Sequence, residues 1–157
     1  MNNKRFLKAL GLIIVVALLA AALPLQAKAQ EGETLCVNTD GTGGCYTSIQ
    51  AAIDAATAGY TINVAPGTYS VTSTINVNVP VTISGAGIEQ TFVKTEGTDS
   101  DPVNIFNVSV DDVTISNMTI QHKKSSNTSV ESAIVLSNAS WPNYTPVLGF
   151  TLDSCRV

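Results

Sequence analysis

Between Tyr46 and Ile83 the apolar residues change their spacing, from a helical period to a period of two. Ile49, Ala52, Ile53 and Ala56 recur at i, i+3, i+4 and i+7, the spacing of one helix face. Thr47 and Gln50 form a T-x-x-Q capping box before this stripe and Gly59 follows it, which predicts a helix of about three turns. From Tyr60 onward Ile62 and Val64, then Ile75, Val77 and Val79, then Val81 and Ile83 alternate with Thr, Asn or Ser, the pattern of half-buried strands. Ala65-Pro66-Gly67 and Gly85-Ala86-Gly87 supply turns between them.

So short a helix is marginal alone, so its apolar stripe must cover something, and the open end of the first coil of strands is the nearest candidate, which makes the helix an end cap. Val-Thr-Ile-Ser occurs at 81–84 and again at 113–116, while Ile62, Ile83 and Ile105 lie 21 and 22 residues apart. That spacing predicts coils of about two dozen residues. The expected fold is all-β, a right-handed parallel β-helix (solenoid) with a short amino-terminal capping helix. Short, evenly spaced strands also suit a Greek-key sandwich, and the helix favours the solenoid.

Tyr46–Ile53, Ile62–Tyr69 and Val81–Gly87 together resemble the amino-terminal cap and first coils of pectin-lyase-like right-handed parallel β-helix proteins, a resemblance that covers residues 45–157. Val113–Ile120 looks like a further coil, with Asn117 where the resemblance implies an asparagine ladder at a bend. It implies contact with extracellular polysaccharide and, for some members, Ca²⁺; no other cofactor is indicated. Pectin methylesterases share the Ile-Gln-Ala-Ala and Pro-Gly-Thr-Tyr features, but there a Glu follows the Tyr at a short interval, whereas this chain has Ser70 and Val71. The catalytic aspartates of those enzymes belong to later coils.

Residues 1–29 join a basic start (Lys4, Arg5, Lys8) to an apolar run from Ala9 to Leu23 and then Ala27-Lys28-Ala29, which reads as a signal peptide. The run is too short for a membrane span, so it meets the membrane only during export. Cleavage there would leave 4 basic against 12 acidic residues, which argues against nucleic acid as a partner. Thr, Val and Ile make up 43 of those 128 residues, an all-β composition. Export to an oxidising compartment predicts a Cys36–Cys45 disulfide that pins residues 30–45, ahead of a β-helix over 46–157. Cys155, left over, predicts a partner outside this sequence.

Few residues carry chemistry. Asp111 and Asp112 would act as acid and base or hold Ca²⁺ if Asp99 or Asp101 stacked nearby; the competing role is a solvated turn, because consecutive strand residues point to opposite faces. His122, Lys123 and Lys124 would offer a base and two cations to an acidic sugar, or form a polar loop with Ser125–Thr128. Asn-x-Ser/Thr sequons stand at Asn107, Asn117, Asn127, Asn138 and Asn143, and Trp141, Tyr144 and Phe150 are candidate sugar-stacking rings. Thr151–Val157 reads as strand with no covering segment, which predicts further coils or end-to-end self-association. The functional expectation is a secreted or cell-surface module, non-catalytic and carbohydrate-contacting or adhesive. Its alternative is the amino-terminal part of a pectate-lyase-like, pectinesterase-like or glycoside-hydrolase enzyme.

Overall fold

The computed structural model describes residues 32–95, 104–122, 133–136 and 146–157. Among these residues eleven strands lie in three sheets, and every strand pairing is parallel. The first sheet has five strands in the order β1 (Thr34–Val37), β2 (Tyr60–Val64), β5 (Val81–Gly85), β8 (Thr114–Ser116) and β11 (Thr151–Asp153). The second holds β3 (Gly67–Val71), β6 (Thr91–Thr95) and β9 (Thr119–Gln121). The third holds β4 (Ile75–Val77), β7 (Phe106–Val108) and β10 (Ile134–Leu136). From β2 onward the chain thus visits the sheets in a fixed cycle, first, second, third, and β11 returns it to the first.

Alternation along each strand fixes which residues face inward. On the first sheet Leu35, Ile62, Ile83, Ile115 and Leu152 stand in register. The middle three are fully buried, whereas Leu35 is half-buried and Leu152 exposed. The two Val-Thr-Ile-Ser segments pair with each other, Thr82 with Thr114, Ile83 with Ile115 and Ser84 with Ser116. Ile105 therefore does not continue the column begun by Ile62 and Ile83, as its spacing had suggested. It precedes β7, where its carbonyl accepts a hydrogen bond from the Ile75 amide at 2.9 Å. The links explain the difference: only residues 72–74 separate β3 from β4, but residues 96–105 separate β6 from β7. Successive passes of the chain through the three sheets are unequal in length.

The helix α1 spans Ile49–Ala55, two turns rather than three. Its cap is Ser48, one residue later than the T-x-x-Q pattern predicted, with its side chain accepting from the Ala51 amide at 3.1 Å. The helix stops at Ala56, before Gly59. Ile49, Ala52, Ile53 and Ala56 are all buried, and α1 packs mainly on β1, β2 and β4. Gln50 does not close a capping box. Its side-chain amide accepts from the Asn76 amide at 2.7 Å and donates to the Asn76 carbonyl at 3.3 Å, ending the edge of β4 as a neighbouring strand would. Below it Asn107 donates to the Asn76 side chain at 3.2 Å, so the stacked asparagines of this chain lie on the third sheet. Asn117 does adopt a left-handed bend, φ 56°, and donates to Ser84 Oγ at 3.3 Å, but its counterpart one coil earlier is Gly85.

Gly85 sits where the Asn117 carbonyl crosses the corner, and a Cβ there would collide with that oxygen. Replacing Gly85 with Ala is expected to cost about 1–3 kcal/mol, read by chemical denaturation. The Cys36–Cys45 disulfide is present, and it joins β1 to the chain that re-enters as Tyr46, whose amide donates to the Cys36 carbonyl at 2.8 Å. Replacing both cysteines with Ser is expected to lower stability by about 2.5 kcal/mol, on loop-closure entropy alone.

Candidate functional site

α1 leaves β3 uncovered, and a cleft of about 350 Å³ lies between them. Thr39, Thr47, Ser48 and Gln50 line one side; Thr68, Ser70, Thr72 and Ser73 line the other, with Tyr69 beside them. The Gly67 amide donates to the Gln90 carbonyl, so Gly67, Tyr69 and Val71 use their backbone groups toward β6. Those of Thr68, Ser70 and Thr72 point to the cleft edge. Seven aliphatic hydroxyls line it, with Ser48 Oγ already capping the helix and the Gln50 amide already engaged by Asn76, and hydroxyls in a volume of this size suit a ligand that both donates and accepts hydrogen bonds. None of the described residues lining it is Asp, Glu, His, Lys, Arg or Cys.

Strand register carries the outer face of the second sheet on from β3 to β6 and β9. Thr68 is in register with Phe92, and Ser70 with Lys94, which in turn is in register with Gln121. Phe92 and Lys94 are half-buried between the fully buried or nearly buried Thr91, Val93 and Thr95. A ring, an ammonium group and an amide thus extend the row of hydroxyls.

No known protein family, curated protein or solved structure matches this chain in comparisons with known proteins. The site must therefore be read from its own geometry.

Asp111 and Asp112 lie in the link between β7 and β8 and act on the backbone there. Asp111 Oδ1 accepts from the Leu148 amide at 2.8 Å, the Asp112 amide donates to the Leu148 carbonyl at 2.9 Å, and Asp112 has φ 56°. A Cβ on Gly149 would run into the Asp112 carboxylate, so the pair and residues 148–149 form one tight corner. His122 follows β9 and is half-buried; Lys123, Lys124, Asp99, Asp101, Trp141 and Tyr144 lie outside the described residues. Phe150 packs against the core. Arg156 pairs with Glu89 at 2.7 Å on the surface, a contact worth little in water. Among the described residues no three His, Cys, Asp or Glu side chains converge as metal ligands. The Cys155 thiol is pushed up by burial and donates weakly to the Ile115 carbonyl at 3.7 Å.

The cleft has a signal in the sequence that the turn residues before it hide. Thr68, Ser70 and Thr72 alternate with Tyr69 and Val71, a strand pattern masked by the Pro66-Gly67 turn residues before it.

Tyr69 is buried, and its hydroxyl donates to the Val37 and Ala65 carbonyls at 3.3 and 3.0 Å. Burial, and after it the nearby Asp40 charge, raises its pKa above the ordinary value of 10.0. A phenol that ionises later in the folded than in the unfolded chain stabilises fully below the unfolded pKa and loses that contribution as pH rises through the folded one. Stability is expected to fall above about pH 10, and Tyr69→Phe to remove part of that fall, measured as urea midpoint against pH.

Proposed function

We propose that this chain is an exported right-handed parallel β-helix that holds an extracellular carbohydrate without processing it. The recurring triplets β2-β3-β4, β5-β6-β7 and β8-β9-β10 support the solenoid reading, as does the resemblance of its motif segments to pectin-lyase-like proteins. The disulfide fits an oxidising compartment outside the cell, in keeping with the signal-peptide pattern of residues 1–29.

One observation carries the carbohydrate reading: the hydroxyl-lined cleft lies over β3, whose Thr68 is in register with the half-exposed Phe92 and whose Ser70 is in register with Lys94 and, beyond it, the exposed Gln121. Sugars present hydroxyl edges and apolar ring faces together, so a row of hydroxyl partners beside an aromatic face meets both. The lining has no acid–base pair, which favours retention over cleavage.

The test is a glycan array followed by calorimetry with whichever extracellular polysaccharide binds. Phe92→Ala is expected to weaken binding about fivefold, the value of one ring contact. Thr68→Val is expected to weaken it too, while leaving the fold unchanged. Absence of binding to every glycan offered would remove the carbohydrate reading, and release of shortened or unsaturated products would replace retention by catalysis.

A further inference from the structure

The outer face of the first sheet carries a threonine on every rung. Thr34 is in register with Thr61, Thr61 with Thr82, Thr82 with Thr114, and Thr114 with Thr151. Side chains alternate across a strand, so this column lies opposite the inward column of Leu35, Ile62, Ile83, Ile115 and Leu152. Thr34 and Thr151 are exposed and the three between them half-exposed. Hydrogen bonding fixes the rung spacing at about 4.8 Å, so the five hydroxyl-and-methyl groups span about 19 Å at equal intervals. β-branching restricts each side-chain torsion, so the array is ordered before any ligand arrives.

Three further features narrow the ligand. The neighbouring outward column, Cys36, Asn63, Ser84, Ser116 and Asp153, is short throughout and bears one charge, at its last rung. No cation stands in either column, which disfavours an anionic partner, and no aromatic ring stands there for a sugar face to stack on. Ser116 is only 6 % exposed, and among the described residues nothing hydrogen-bonds its hydroxyl. A buried hydroxyl calls for a small hydrogen-bonding partner.

A neutral ligand that repeats at the rung spacing and bonds through hydroxyl-sized groups is crystalline water. The oxygen repeat of hexagonal ice along its a axis is close to the distance between parallel strands. Threonine methyl groups restrict the orientation of the water beside them, and the hydroxyls join the same network. We propose that the outer face of the first sheet is an ice-binding surface, with Thr34, Thr61, Thr82, Thr114 and Thr151 as its lattice-matched contacts. This stands independently of the carbohydrate reading, which uses a different sheet.

The experiment measures ice recrystallisation and thermal hysteresis with the full exported chain. The wild-type protein is expected to halt ice-grain growth and to shape single crystals. Thr61→Lys combined with Thr82→Lys removes two neighbouring contacts and should lower potency at least about tenfold, with an unchanged circular dichroism spectrum. Asn78→Lys, an exposed change between β4 and β5, should leave potency as it was. Should the double lysine variant misfold, Thr82→Leu breaks the array without a charge and should also lower potency. Grain growth equal to that in an inert protein control, or full potency in a folded ladder variant, would overturn the proposal. So would binding of the ladder to an insoluble glycan in the absence of any effect on ice.

Discussion

Register across the first sheet is the constraint on which everything else in this molecule rests. Parallel pairing places Ile62, Ile83 and Ile115 over one another inside. Full burial of each such side chain is worth about 1.5–3 kcal/mol. A slip of one residue would turn the threonine column inward and the isoleucines out, so the apolar column and the polar column enforce each other. The same register sets Thr68 over Phe92 and Asn76 over Asn107 on the other two sheets, because each coil passes through all three.

The amino-terminal end of the stack is closed by three different devices. α1 lays its apolar stripe over the first, second and fourth strands; Gln50 satisfies the edge of β4; and the disulfide holds the chain that leaves β1. The upper edge of β3 receives none of these, and that omission creates the cleft. Near β11 the arrangement is different. Leu136, Leu148, Leu152 and Val157 are exposed there, so the apolar interior reaches the surface around the last described strand.

Much of the fold was legible because local physics wrote it into short segments. The stripe Ile49-Ala52-Ile53-Ala56, the alternation around Ile62, Ile75 and Ile83, and the cysteine pair all found their expected partners. What failed was counting across long links. Ile105 stood at a plausible interval from Ile83, yet the insertion of residues 96–105 moves the next rung to Ile115, and only the repeated Val-Thr-Ile-Ser carried that information. The helix cap shifted by one because Ser48 takes an extended conformation from which its side chain reaches the Ala51 amide. The cleft was harder to see, since it joins Thr47 and Ser48 to Thr68 and Thr72, residues that only the folded chain brings together. Asp111 and Asp112 drew attention as paired carboxylates, and the structure uses Asp111's carboxylate and Asp112's backbone to hold a corner.

The most direct test of this account is a crosslink that reads the register. In a Cys155→Ser background, Thr82→Cys combined with Thr114→Cys puts two thiols on adjacent parallel rungs, at a separation a disulfide can span. Oxidation is predicted to close that bond readily and to leave the melting temperature unchanged or raised. The companion variant Thr82→Cys with Asn104→Cys, which represents equal coils of about two dozen residues, should stay reduced. Ready closure between positions 82 and 104, with positions 82 and 114 remaining apart, would contradict the register and the columns built on it.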